Sequence, residues 1–293
     1  MIRGLYTAAA GLVTQQRRHD TATQNIANLN TTGYKQVDSV SHSFPEAMIT
    51  AMQGGVRQPI GKLNTGVFAE QAINQYRQGD LIESGKSTDF ALAGELEAVD
   101  PATGQNIVFD ATGKFINDQG EVKYRPQAFF ALQDASGRAL YTRNGSFAVT
   151  AAGEVLSSEG YRVLGADGQP LTLKGDALNV ADGGLRVDGQ GRILDKTGRP
   201  SGAAIGISVV DNPEKLVRDG SGVYHAEDGA GVRQPTTADN IDLRQGYVEG
   251  SNVDATQVSV DLNAAYRAYE ANQKLIQIYD TSLQKTVNEV GRV

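Results

Sequence analysis

The last forty residues limit the architecture more than any other part of the chain. Leu262, Tyr266, Tyr269, Gln273, Ile276, Asp280, Leu283, Val287 and Val290 follow one another in alternating steps of four and three. That is the spacing of a helix that must lay one edge against another helix. A strand, with its period of two, has no use for it. Gln273 and Asp280 put polar groups into the row, which costs stability and fixes register and partner number. "GSNVD" upstream offers capping side chains, so the spacing predicts a helix that starts near Asn252 to Asp254. At 1.5 Å per residue, about 38 residues make a rod of roughly 57 Å.

A second, weaker stripe runs through the start of the chain: Ile2, Leu5, Ala9, Leu12, Gln16, His19, Thr23 and Ile26. Five of its eight positions are apolar, with Leu5, Leu12 and Ile26 as its large members beside Ile2. "NIANLNTTGYK", Asn25 to Lys35, should end this helix. Asn28 and Asn30 tolerate a left-handed turn, and Gly33 takes a positive φ without penalty. "TAAAG" gives the helix a small-residue flank on which a neighbour can approach closely.

Between the helices the texture changes. From about Phe129 to Val210, short alternating runs are cut by glycine turns every eight to twelve residues, as in "GLRVDGQGRILDKTG". Such spacing reads as antiparallel strands and hairpins. "SFPEAMITAMQ" is read as a short helix, and "GGVRQPIGKLNTG" as an irregular connector. The expected fold is α+β: long N- and C-terminal helices pairing as a coiled coil, with a central, mainly antiparallel β domain. The expected segments are 1–35 for the first helix, 36–75 for an extended connector, 76–240 for the β domain and 241–293 for the C-terminal helix.

The energetics of the ends point outward. Burying one Leu, Ile, Val or Tyr is worth roughly 1.5–3 kcal/mol, so the seven apolar seam positions of the last helix supply ~10–20 kcal/mol. Ordering ~60 helical residues costs backbone entropy of ~1–2 kcal/mol each, and isolated helices are marginal even with their hydrogen bonds. The two termini are therefore expected to pair with each other and then against termini of other copies. A two-copy coiled coil has the same periodicity and stays open at this stage.

Composition removes whole classes of function. The formal charge is −7, which opposes binding to nucleic acid or an anionic membrane because no clustered Lys and Arg neutralise phosphate. Without cysteine there are no disulfides, thiolate zinc sites or thiol nucleophiles. Arg3, Gly4, Tyr6, Thr7 and Gly11 break any signal-peptide apolar core. No run reaches the roughly 18 apolar residues of a membrane span, so neither a secretory signal nor membrane insertion is expected and any export must take another route. Aspartates fall in "ADGQ", "VDGQG" and "LDKTG", where Asp favours turns for backbone reasons. His19 lies beside Arg17 and Arg18 with no metal-ligand spacing around it. No catalytic residue, metal or cofactor is expected.

Four blocks then resemble one family. "NIANLNTTGYK" resembles the N-terminal signature of the flagellar rod and hook proteins. "QGDLIESGKSTDFALAG" and "YTRNGSFAVTAAGEVLSSEGYRVLG" resemble the entry and core of their central domain, and "LRQGYVEGSNVDATQVSVDLNAAYRAYEANQKLIQIYDTSLQKTVNEVG" resembles their C-terminal helix. Together they cover roughly 150 residues in the family's order, and the likeness is to distal-rod-type basal-body rod proteins of Gram-positive bacteria rather than to the hook protein. The resemblance implies a structural subunit that passes unfolded through the flagellar type III export apparatus and polymerises with itself and with other rod and hook proteins in the basal body. It also implies that Asn25, Asn28, Asn30, Gly33 and Tyr34 mark the exit from an inner helix. Tyr266, Tyr269, Glu270, Asn272 and Gln273 would then belong to a packed inner layer. One departure stands out: 32 residues, Leu96 to Gln127, separate "DFALAG" from Phe129 and Phe130, where the family moves almost directly to its next strand. A hook-type or hook-associated protein, a secreted β-domain binding module with a coiled-coil tail, and a cell-wall hydrolase are the rival readings.

Overall fold

The computed structural model describes residues 2–45, 47–53, 56–63, 66–70, 72–94, 96, 98, 106–110, 113–117, 120–174, 185–195, 197–236 and 239–290. The chain divides into two compact units. A helical unit takes Met1–Ala27, Val37–Ile73 and Val253–Val293, and a β unit takes Asn28–Gln36 and Asn74–Asn252.

Two helices dominate the first unit, α1 (Ile2–Ala27) and α2 (Ala255–Val290). The capping expectation holds: the Asp254 carboxylate accepts from the backbone N–H groups of Thr256 at 2.9 Å and Gln257 at 3.1 Å, filling orphan donors of the first turn. The helices lie side by side and antiparallel. Gly4 faces Tyr279 and Gly11 faces Asn272, so a step of seven up one helix is a step of seven down the other. At Gly4 a Cβ would overlap the Tyr279 hydroxyl as that side chain now lies.

The buried rows are not quite those expected. On α1 the buried side chains are Ala8, Thr14, Ala22 and Asn25, while Leu5, Leu12 and Ile26 are only half-buried at the margin of that row. Closest approach follows the small residues instead of the large ones. On α2 the row toward α1 is Val258, Leu262, Ala265, Tyr269, Asn272, Ile276, Tyr279 and Leu283. It shares Leu262, Tyr269, Ile276 and Leu283 with the sequence reading but takes its three-residue step first. Tyr266 is therefore 52% exposed and hydrogen-bonded to Glu270, Val287 is 70% exposed, and Gln273 and Asp280 face solvent. The Val290 side chain lies outside the described residues.

The connector of this unit is more regular than expected. Ala47–Gln53, within the expected short helix, is a strand paired antiparallel with Val56–Leu63. Gly54-Gly55 between the two runs is a two-residue hairpin signal that outweighs the helical reading. Ile60 is the extra residue of a bulge, and Pro59 beside it sits where a missing N–H is tolerated. A second short pair, Ser41–Ser43 with Val67–Ala69, lies against α1, where the Arg17 guanidinium donates to the Ala69 carbonyl at 2.9 Å.

In the β unit the central strand is Gln127–Gln133, "QAFFALQ". One edge pairs with Ala139–Thr142, and the other is shared by Ile207–Val210 and Arg162–Val163, all antiparallel. Outward from these, the sheet continues through Val223–Ala226 to Leu216–Gly220, and through Val155–Ser157 to Phe147–Val149. The strand is buried on both faces, which is why its apolar run is unbroken. Ala128, Phe130 and Leu132 enter the main core with Phe90, Leu92 and Phe147; Phe129 enters a second core with Tyr141 and Tyr224 on the opposite face.

One boundary differs from expectation. Residues 241–252, assigned from the sequence to the C-terminal helix, belong to this unit: Asp242–Gln245 pairs with Phe90–Ala93 and Tyr247–Glu249 with Leu81–Glu83. Leu243 and Val248 are the buried apolar members of these two strands, and Glu249 is buried beside Val248. Within the 96–127 insertion, Lys114–Ile116 and Val122–Tyr124 form their own two-stranded hairpin and add nothing to the main sheet. The aspartates of the turn sequences do what their context suggests. Asp188 accepts from the N–H groups of Gln190 and Arg192, and Asp195 from those of Thr197 and Arg199.

Gly145 provides a test of this packing, because a Cβ there would run into the Phe90 carbonyl and come within 2.9 Å of the Phe130 ring. Gly145→Ala should cost the β unit about 1–3 kcal/mol or more of unfolding free energy, read as a lower urea midpoint with unchanged slope.

Candidate functional site at the exit from the first helix

Each residue of "NIANLNTTGYK" can be followed through the exit from α1. Asn25, in the last turn, is buried and braces the returning chain: its Nδ2 donates to the Val37 carbonyl at 2.7 Å and its Oδ1 accepts from the Val37 N–H at 3.0 Å. Asn28 closes the turn, its carbonyl accepting from the Thr31 N–H and its Oδ1 from the Thr31 hydroxyl. Asn30 is exposed.

From Asn28 to Gln36 the chain belongs to the β unit. Gly33 has φ +69° and donates to the Glu249 carbonyl at 2.7 Å. A Cβ there would lie 2.5 Å from the Asn144 backbone nitrogen, so both its conformation and its surroundings demand glycine. Tyr34 is buried with the Arg218 guanidinium over its ring at 4.7 Å, and Arg218 also lies 5.6 Å from the Tyr224 ring. Asn252 fastens the other side. It accepts from the Gln36 N–H at 2.6 Å and donates to the carbonyls of Gln75 and Arg77.

The centre of this arrangement is ionic. Lys35, 1% exposed, donates from Nζ to Glu249 Oε1 at 2.7 Å and to the Arg77 carbonyl at 2.9 Å. Glu249, 0% exposed, accepts at Oε2 from Arg143 Nε at 2.7 Å and at Oε1 from the Gly79 N–H at 3.0 Å. Arg143 also donates to the carbonyls of Ala128 and Leu92. Two cations thus share one carboxylate away from water. Burial pushes the Lys35 ammonium down to about 8, helped by Arg143 and opposed by Glu249. For Glu249, burial alone would raise the carboxyl, but Arg143 and Lys35 outweigh it and hold the group at about 2.

Such a site is a fastening. Both Glu249 oxygens are engaged by protein donors, and among the described residues no group of three or more His, Cys, Asp or Glu could hold a metal ion. The structure brings Gly33 and Tyr34 together with residues that sequence reasoning missed: Lys35, Arg143, Arg218, Glu249 and Asn252. A signal for two of them was present. Lys35 closes one terminal block and Glu249 lies within the other, opposite charges among small and apolar residues.

Comparisons with known proteins agree with this geometry. Residues 5–35 match the flagella basal body rod protein model, 126–181 the D1 domain model of the flagellar hook protein FlgE/F/G, and 244–289 the C-terminal model of the flagellar basal body rod FlgEFG proteins. The chain therefore carries beginning, middle and end of one family in order, and it belongs to the flagellar basal-body rod and hook protein family. It is 32% identical to the flagellar hook-basal body complex protein FlhO of Bacillus subtilis, with all of both chains covered. It is 28% identical to the flagellar basal-body rod protein FlgG of the same organism, over 98% of this chain and 99% of that one, and 28% identical to FlgG of Borreliella burgdorferi over 97% of each.

Glu249→Gln should cost about 3–5 kcal/mol of β-unit stability, because Lys35 and Arg143 then stay buried without a counter-charge. Lys35→Met should cost less, since it leaves Glu249 paired with Arg143. The pH dependence has a definite sign. A carboxyl held below its unfolded value near 4.5 contributes stability above that pH and loses it as pH falls toward about 2. Urea melts from pH 6 to pH 2 should show this loss in the natural chain and a shallower one in Glu249→Gln.

Proposed function

We propose that this chain is a structural subunit of the bacterial flagellar basal-body rod, placed in the basal body among other rod and hook proteins and joined to copies of itself in a helical polymer. The observation that carries the reading is the ordered match of three family models at the start, middle and end of a chain whose Bacillus relative covers it throughout. The geometry supports it. In the helical unit α1 and α2 run antiparallel with matched seven-residue steps, and we read them as a coiled-coil pair. Leu5, Leu12, Ile26, Tyr266, Gln273, Val287 and Val290 serve contacts between copies, while Leu262, Tyr269, Ile276 and Leu283 serve the pair itself. Asn25, Asn28, Asn30, Gly33 and Tyr34 mark the exit from the inner helix. The subunit reaches its place through the flagellar export apparatus, unfolded, and carries no catalytic activity.

Deleting the gene and imaging isolated basal bodies tests the assignment. The expected outcome is non-motile cells with basal bodies lacking a hook, and recovery of the epitope-tagged chain in basal bodies on complementation. Full motility of the deletion strain, with the tagged chain absent from basal bodies, would remove the reading.

A further inference from the structure

Helix α2 carries two rows. The row toward α1 is described above. The other, Val260, Ala264, Ala271, Leu275 and Ile278, is exposed along its whole length, Ile278 to 62%. At 100° per residue the second row lies roughly 120° around the helix from the first. A helix with one apolar row needs one neighbour; a helix with two needs another.

The complementary surface lies on α1 of the same unit. On the side of α1 away from α2, Tyr6, 71% exposed, and Val13 border a groove with a volume of about 390 Å³. Phe44 and Phe68, with rings 5.1 Å apart, form its opposite wall, and Ala9 and Ala10 form its floor. Aromatic rims over an alanine floor suit the branched side chains of a helix that presents anchors three or four residues apart.

We propose that this groove receives the outer row of α2 from a second copy of the chain. The inference rests on the reading of the protein as a rod subunit and adds which surface meets which. Because groove and row are different surfaces, the contact is head-to-tail, and where the rotation between copies does not close a ring it propagates. Its size fits that role. From Tyr6 to Arg17 the groove runs roughly 16 Å, and a helix about 10 Å wide laid along it buries on the order of 320 Å² in all. That falls well short of the ~1,200 Å² a stable pair needs, so one such contact holds no dimer in dilute solution. Every copy offers both halves, and the contacts sum along a polymer.

The absence of cysteine makes the test clean. Val13→Cys and Ile278→Cys are introduced together in the full-length chain, expressed in the deletion strain, and oxidised in isolated basal bodies. Within one copy the pair cannot close: α1 position 13 lies level with α2 position 270, about 12 Å along the axis from position 278, and the two side chains leave opposite sides of the helix pair. The expected result is a ladder of disulfide-linked oligomers from the double variant and none from either single variant. Incorporation into basal bodies without crosslinking would overturn the groove contact and leave the rod assignment standing. Equal crosslinking of Ile278→Cys alone would overturn it in favour of a symmetric α2–α2 contact. Absence of even the cysteine-free tagged chain from basal bodies would overturn the rod assignment itself. As a second readout, Ile278→Lys should abolish incorporation while the urea midpoint of the β unit stays unchanged.

Discussion

The structure depends on a carboxylate shared by two cations out of reach of water. Glu249 holds Lys35 at 2.7 Å on one oxygen and Arg143 at 2.7 Å on the other, and the residues it joins come from the start, middle and end of the chain. A buried ion pair is a poor source of net stability, because desolvating the charges offsets their attraction. Its value here is in specification: an exit segment that placed Lys35 one residue away along the chain would bury an ammonium without a partner. The fastening therefore fixes how the segment after α1 runs through the β unit, and Gly33 and Asn252 secure the backbone on either side of it.

The second constraint is the thinness of the helical unit's core. Its fully buried apolar side chains are small, Ala8, Ala22, Val258 and Ala265 among them, and the large apolar residues that face the partner helix, such as Leu262 and Ile276, are only half-buried. A pair of helices packed this way seats the Tyr279 and Asn272 side chains on Gly4 and Gly11 but gains little apolar burial. The β unit is the opposite, with a central strand buried on both faces. On the proposed function, the β unit stands alone and the helical unit is completed by neighbours.

Much of this was legible in the sequence, and the failures are instructive. The two long helices, the exit near Asn28, the Asp254 cap and the glycine turns all have local signals, and each lies where those signals put it. The face of α2 did not. A heptad row can step from Leu262 to Ala265 or to Tyr266, and the larger residue attracts the eye while the close approach of Gly11 to Asn272 selects the smaller one. The hairpin at 47–63 was hidden because "AMITAMQ" suits a helix in isolation; its strand partner decides the matter. The segment before α2 was claimed for the helix because strand and helix there share one unbroken sequence block. The Lys35–Glu249 pair was missed for a simpler reason: its members are 214 residues apart, and no local pattern reports that distance.

On the proposed function, the exit segment Asn28–Gln36 is a permanent part of the β unit, whereas the helices gain their full order from other copies. Amide hydrogen exchange on dilute, monomeric protein tests it at single residues. The Gly33 amide, bonded to the Glu249 carbonyl, should be protected to the same degree as the amides of Phe129 to Leu132, while those of α1 around Ala8 exchange orders of magnitude faster. Exchange at Gly33 as fast as in α1, or protection of α1 equal to that of the central strand, would contradict the claim.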